Sequence, residues 1–309
     1  MHVGAVAAWD GGGTKTEVLV KSGETVSALF GPLNLNGNAP EQVHLSCMDA
    51  LHFMEHTLGG LEHLDALVIG AAGVSNAKAV AGLEQTVRAA GYNGLLQILG
   101  DHEIALAGAL DGSGCVLVSG TGSVCNGRNL ATGQTVRTGG YGYLIDDEGS
   151  GYAIGRDILR AVVRAGDGRG PRTQLTELVF SYLGMHSIPE LITWLYAPET
   201  GKQGVAGLGR LLSPALESGD AAAESIAESC ARELSILVLT AMRRLGLSSG
   251  EAALVGSVLR NNRFIRSRLK QVLTATMPAL AIHDPYHTPA EGALHLAEKL
   301  AQRHGGNDG

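Results

Sequence analysis

The sequence predicts an α/β protein built from two similar halves, and three observations predict it. Asp10-Gly11-Gly12-Gly13-Thr14-Lys15-Thr16 joins the apolar run 3–9 to a second apolar run at 17–20, which reads as strand, tight glycine turn and strand. Far along the chain the apolar run 115–119 ends in Gly120-Thr121-Gly122-Ser123, and Val124-Cys125-Asn126 opens another strand. A chain of 309 residues is long enough for two core-bearing domains, one for each hairpin.

The first half opens with strand 3–10, then strand 16–20 and, past the Ser22-Gly23 turn, strand 25–30. Glycine, proline and asparagine between 31 and 40 mark a loop. Val43, Cys47, Ala50, Leu51, Met54 and Leu58 form one stripe at helical spacing, so 41–58 is a helix. Strand 65–70, helix 77–90, strand 95–99 and helix 103–110 follow. The order starts over with strands 115–119, 123–128 and 134–138 and a helix over 150–165. Residues 171–246 read as mostly helical, an insertion in the second half. Strand 252–256, helix 261–275, strand 279–283 and helix 289–303 come last, and the tail 305–309 has the composition of a disordered end.

Composition narrows the partners. Hydrophobic residues make up 45%, which is globular, and a net charge of −7 with no run of Lys and Arg argues against nucleic acid. Cys47, Cys115, Cys125 and Cys230 have no C-x-x-C spacing, so neither a zinc knuckle nor a disulfide framework is indicated. The N-terminal residues lack a cationic segment followed by an apolar one, and no apolar run reaches membrane-spanning length. The expectation is a cytoplasmic protein with a small-molecule substrate and no membrane partner. The oligomeric state stays open, with a homodimer compatible.

Three segments carry chemistry. In the hairpins, glycines let backbone N–H groups approach a polyphosphate, while Thr14 and Lys15 add a hydroxyl and a positive charge. Each hairpin leads into a strand, whereas a Walker A loop or a dinucleotide fingerprint leads into a helix. Asp101 follows strand 95–99 and precedes a helix, so it is either an N-cap carboxylate or a general base at the carboxyl end of a strand. The run Gly139-Gly140-Tyr141-Gly142-Tyr143-Leu144-Ile145-Asp146-Asp147-Glu148-Gly149 combines exposed backbone with three acids, and a polyol contact suits Asp147. His52-Phe53-Met54-Glu55-His56 also fits H-x-x-E-H, but the apolar stripe leaves both histidines on a flank, and chance explains the match.

With these segments in view, the chain resembles the N-acetylglucosamine kinases. These belong to the BadF/BadG-type ATPase group of the superfamily that holds actin, sugar kinases and heat-shock chaperones. The resemblance covers DGGGTKT at 10–16, GDHEIALAGAL at 100–110, SGTGSVC at 119–125, GGYGYLIDDEGSGYAIGR at 139–156, LVGSVLRNN at 254–262 and TPAEGALHLA at 288–297. It implies two ribonuclease-H-like domains, the actin-like ATPase and sugar kinase fold, with the nucleotide in the interdomain cleft. The first would hold 1–111 plus 290–304, the last helix crossing back to it; the second would hold 112–289 with the helical insertion.

The implied activity is transfer of phosphate from ATP, with Mg²⁺, to the 6-hydroxyl of N-acetylglucosamine. Glucosamine, N-acetylmuramic acid and a dehydratase-activator ATPase are the alternatives. Gly11, Gly12, Gly13, Thr14, Lys15, Gly120, Thr121, Gly122, Gly207, Gly256, Ser257 and Asn261 would bind ATP, with Asp10 near the metal through water. Asn36, Ser75, Asp101, Ser123, Gly140, Tyr141, Gly142 and Asp147 would hold the sugar, Asp101 as base. The chain departs from the animal enzyme's pattern at Val124, where asparagine is usual, and at Tyr141, where tryptophan is usual.

Overall fold

A computed structural model describes residues 4–74 and 76–305. Two compact units emerge, one of 1–111 with 285–309 and one of 112–284. The first unit begins with the antiparallel ribbon β1 (Ala5–Gly11), β2 (Thr16–Ser22) and β3 (Glu24–Phe30), followed by α1 (Pro40–Leu58). Strand β4 (Leu64–Ala71), helix α2 (Ala77–Ala89), strand β5 (Leu95–Gly100) and helix α3 (Asp101–Ala109) complete its contiguous part. Its sheet has the order β3-β2-β1-β4-β5, with β1 antiparallel to β2 and parallel to β4, and β4 parallel to β5.

The second unit repeats that plan. Strands β6 (Gly114–Ser119), β7 (Ser123–Asn129) and β8 (Gln134–Gly139) form its antiparallel ribbon, and β9 (Gly250–Val255) and β10 (Leu280–His283) extend it. The order is β8-β7-β6-β9-β10, again with the first strand central, antiparallel to the second and parallel to the fourth. Helix α4 (Gly151–Gly166) starts where Ser150 accepts a hydrogen bond from the Ala153 N–H.

The helical insertion resolves into α5 (Leu175–Leu183), α6 (Ile188–Tyr196), α7 (Gly201–Gly207), α8 (Leu212–Glu217) and the long α9 (Ala221–Arg244). A 3-10 turn joins α7 to α8. The helix expected over 261–275 is α11 (Arg263–Thr276), and a short additional helix, α10 (Ser257–Asn261), precedes it. Asn262 breaks them, because its side chain accepts from the Ile265 N–H and starts a new helix.

Each unit has its own core. Trp9, Leu51, Met54, Leu67 and Ile69 are buried between the first sheet and α1, with the Trp9 indole N–H directed at the Met54 sulfur, 3.3 Å away. On the other face Val6, Ala8, Val68 and Ile104 meet Ala290, Ala293, Leu294 and Ala297 of α12 (Pro289–Gly305). Small residues allow close helix contact there: a Cβ on Gly292 would lie 2.3 Å from the Gly108 nitrogen. Helix α12 includes Gly305, where the disordered tail was expected to begin, and 306–309 lie outside the described residues.

Candidate active site

Each hairpin sits at the end of the central strand of its sheet. In the first unit the β1–β2 ladder closes at the pair Gly11 and Thr16, and the Gly12 N–H bonds to the Lys15 carbonyl at 3.0 Å. Gly13, Thr14 and Lys15 are exposed. A Cβ on Gly12 or Gly13 would find no atom nearer than 3.4 Å, so neither glycine is needed for packing and the space above the turn is open. Gly11 is different, since a Cβ there would lie 2.7 Å from Leu33.

Around this hairpin the carboxyl ends of the parallel strands gather the first unit's polar residues. Asp10 lies beside Glu17 in the ladder. Burial, then the charges of Glu17 and Asp101, raise the Asp10 carboxyl above its ordinary range, against the opposing pull of Lys15. Asn36 is exposed in the loop after β3, where its Oδ1 accepts from Asn76 Nδ2 at 3.5 Å. Ser75, expected at the sugar, lies outside the described residues.

Asp101 is the first residue of α3, and its side chain is half exposed. The cap at this helix is made by Glu103, whose Oε2 accepts from the Gly100 N–H at 2.8 Å. Asp101 Oδ1 accepts from the His102 N–H at 2.8 Å. Gly100 is the N-cap residue, and Glu103 and Asp101 each take one N–H at the start of the helix.

In the second unit the β6–β7 ladder closes at Ser119 and Ser123, leaving Gly120, Thr121 and Gly122 as the turn. The N-terminus of α4 grips this turn from behind: the Gly151 N–H bonds to the Gly120 carbonyl at 2.7 Å and the Tyr152 N–H to the Thr121 carbonyl at 3.4 Å. A cleft of about 540 Å³ opens in front of it. Five residues of the expected ATP set line this cleft, Gly120, Thr121, Gly207, Ser257 and Asn261. Gly256 stands at the turn into α10 with φ 108, and a Cβ there would lie 2.1 Å from the Ser119 carbonyl oxygen.

Gln203 and Arg210 also line the cleft, and neither stands out in the sequence. Gln203 Oε1 accepts from the Thr121 hydroxyl at 3.3 Å. Only the packing of α7 and of the 3-10 turn after it brings these residues to the cleft, and no local motif marks that.

The glycine-rich segment after β8 follows a strained path. Gly139, Gly140, Gly142 and Gly149 have positive φ, and so does Asp147 at φ 63. Its three adjacent acids have three different partners. Asp146 accepts from the Tyr141 N–H at 3.1 Å, Asp147 pairs with Lys202 at 3.0 Å, and Glu148 holds Arg156 in a two-pronged bridge at 2.9 and 3.0 Å. Ser119 and Ser123 pin the segment by donating to the Gly149 and Glu148 carbonyls at 2.8 and 2.7 Å.

Two expectations change in kind. Ser123 is buried with its hydroxyl proton committed to Glu148, so it anchors the segment rather than donating to a ligand. Asp147, expected at a polyol, is buried at 4% exposure with its carboxylate on Lys202. Tyr141, by contrast, is 68% exposed with the Arg137 guanidinium over its ring, and Arg137 also bonds to the Gly140 carbonyl. Val124 packs where a Cβ of Gly140 would stand, at 2.8 Å.

The H-x-x-E-H match has no metal geometry: His52, Glu55 and His56 are exposed on α1, and no cluster of three ligating side chains occurs among the described residues. None of the described helices is long and apolar enough to cross a membrane.

Two sheets of this order, each with a hairpin at its central strand, define the two-domain α/β fold of the sugar kinases. A candidate N-acetylglucosamine kinase of Chromobacterium violaceum shares it, with a TM-score of 0.70 at 22% identity, covering 96% of this chain and 100% of that one. A ROK hexokinase of Thermus thermophilus also shares it, with a TM-score of 0.54 at 17% identity over 99% of this chain and 100% of that one. The chain belongs to the BadF/BadG/BcrA/BcrD ATPase family, whose model matches residues 9–297. It is 32% identical to the N-acetylmuramic acid/N-acetylglucosamine kinase of Clostridium acetobutylicum over 295 residues, 93% of this chain and 96% of that protein.

Proposed function

We propose that this protein is an ATP-dependent amino-sugar kinase acting on the 6-hydroxyl of N-acetylglucosamine in the cytoplasm. The observation that carries the reading is the cleft in front of Gly120–Gly122, lined by Thr121, Gly207, Ser257 and Asn261. A nucleoside triphosphate fits its chemistry: backbone donors and a threonine hydroxyl for phosphates, glycine surfaces and Ser257 and Asn261 for the nucleoside.

The first hairpin, with Thr14 and Lys15, takes the outer phosphates. Mg²⁺ would be held at Asp10 through water, where a divalent ion would offset the charges of Glu17 and Asp101 that act on this carboxyl. When bound, the ion neutralises charge developing on the transferred phosphoryl group. Asp101 accepts the hydroxyl proton as the sugar oxygen bonds to the γ-phosphorus and the bond to the bridging oxygen breaks, leaving ADP. Its carboxylate is half exposed, so a sugar hydroxyl can reach it from solvent. The resemblance gives Asn36 of the first unit, and Asp147 and the backbone of Gly140–Gly142 of the second, to the sugar.

An acetamido group wants backbone partners and an apolar patch, and Val124 against Gly140 beside Tyr141 supplies both. An ammonium would want a spare carboxylate near C2, and Asp146 is already engaged with Tyr141. N-acetylmuramic acid is a second substrate to assay, since the Clostridium relative's name includes it. The dehydratase-activator reading loses support from the thiols. All four cysteines are buried, and burial pushes Cys47 up to about 12. A bridging [4Fe–4S] cluster needs accessible thiolates.

The deciding experiment compares kcat/KM for N-acetylglucosamine, N-acetylmuramic acid, glucosamine and glucose in a coupled assay. We expect an acetylated sugar to lead glucosamine by about 10–200-fold or more. A higher value for glucosamine overturns the substrate assignment, and no ADP formation with any of them overturns the kinase.

A further inference from the structure

Lys202 stands at the junction of the cleft and the glycine-rich segment, and nothing in the reading above uses it. It rises from α7 one residue before Gln203, the partner of Thr121. Its Nζ is 3.0 Å from Asp147 Oδ2, 5.3 Å from the centre of the Tyr143 ring, and 3.3 Å from where a Cβ on Gly122 would stand. One ammonium thus touches the second hairpin and also neutralises the buried acid of the segment that follows β8.

A latch that only braces the fold would be better served by a fixed apolar contact. Asp147 is out of water while the Lys202 side chain stays 31% exposed, and the cost of drying the carboxylate offsets part of their attraction. The backbone at Asp147 adds strain, as the one non-glycine residue with positive φ among the described residues. Strain of that kind persists where a residue must be held for a later contact.

Lysine is a compact charge with three rotatable donors on a flexible stem, suited to changing partners. A phosphate chain laid along Gly120–Gly122 would bring several negative charges beside Nζ, and they would compete with the single charge of Asp147. We propose that Lys202 is an exchange residue. Asp147 holds it while the hairpin is empty; a bound nucleotide's terminal phosphates draw it away, which frees Asp147 Oδ2 to accept from a sugar hydroxyl. This rests on the kinase reading and gives that site an order: nucleotide binding prepares the sugar contact, and by reciprocity the sugar strengthens nucleotide binding.

Calorimetry on the whole protein tests this with N-acetylglucosamine, alone and with a saturating non-hydrolysable ATP analogue and Mg²⁺. In the wild type the analogue should tighten sugar binding by about 5–150-fold, the usual range of coupling. In Lys202→Met the sugar alone should bind near the nucleotide-bound affinity, coupling should fall below about 2-fold, and the analogue should bind more weakly. Lys202→Arg, which keeps the charge, should retain coupling and serves if the methionine variant fails to fold, as judged by thermal melting. Full coupling in Lys202→Met, or loss of coupling in Lys202→Arg, overturns the exchange. Weaker sugar binding by Lys202→Met without nucleotide also overturns it and makes the pair a brace. Wild-type protein that binds both ligands independently sinks the exchange alone, whereas wild-type protein that binds neither sinks the kinase reading as well.

Discussion

Asp101→Asn separates chemistry from architecture at the start of α3. The substitution keeps the shape of the side chain and an oxygen able to accept from the His102 N–H at 2.8 Å. The helix keeps its cap, because the Gly100 N–H is bonded to Glu103 at 2.8 Å. Half-exposed and outside the core, the site should lose less than about 0.5 kcal/mol of stability. The amide cannot take a proton, so kcat should fall by about 10²–10⁴-fold, or about 2.7–5.4 kcal/mol of barrier at 1.36 kcal/mol per decade. Glu103→Ala should do the opposite, costing about 0.5–1 kcal/mol of stability and leaving kcat within about twofold. A coupled kinase assay and urea unfolding on the two variants read both axes. Turnover by Asp101→Asn within a few-fold of wild type, or a shared loss of stability in both variants, would refute the assignment of base and cap.

Two further variants probe the second unit. Asp220 caps α9 and accepts from the Ala223 and Gln174 N–H groups at 2.9 and 2.7 Å and from the Thr173 hydroxyl, so Asp220→Ala should cost about 2–3 kcal/mol in urea unfolding. Burial opposes ionisation of that carboxyl, yet the N–H and O–H donors outweigh it and hold it below the ordinary 3.8, so its contribution is complete above that pH and lost as acid takes the pH lower. The variant's stability should accordingly fall less steeply than wild type's below about pH 4, and an unchanged acid limb would show that Asp220 is not the group responsible. Gly256→Ala forces a side chain to φ 108 and within 2.1 Å of the Ser119 oxygen, so the turn into α10 must shift away from β6. We expect calorimetry to show nucleotide affinity lowered at least tenfold while sugar affinity changes little, and equal nucleotide affinity would show that Gly256 has no part in shaping the cleft.

Much of this architecture is legible locally. Hairpins announce themselves because apolar runs stop at glycines, and the sheet strands fall within a residue or two of the expected positions because each alternates or fills with Val, Ala and Leu. The start of α4 is legible from Ser150, a cap with an apolar stripe after it. The insertion is not. Its residues read as helical almost throughout, and the breaks at Gly184, Ser187, Gly219 and Asp220 are single caps and turns that a continuous helical reading passes over. Gln203 and Lys202 escape notice for another reason: their proximity to Thr121 and Asp147 spans long stretches of chain and leaves no spacing to read. The acids at 146–148 were visible as a group, but adjacent identical charges do not reveal that each has a different partner.

The path of the chain also sets a timetable for synthesis. Residues 112–284 form a unit from one uninterrupted stretch, so that unit can fold as soon as it has left the ribosome. The earlier-made unit has one face shared by α3, through Ile104, and by α12, whose Ala290, Ala293, Leu294 and Ala297 complete the cover over Val6, Ala8 and Val68. Strands β1 and β4 therefore wait for α12 before that face is complete. Until α12 has been made, the sheet of β1–β5 carries an apolar face that α3 covers only in part, so the nascent chain depends on the arrival of that helix, or on chaperones, to stay out of aggregates.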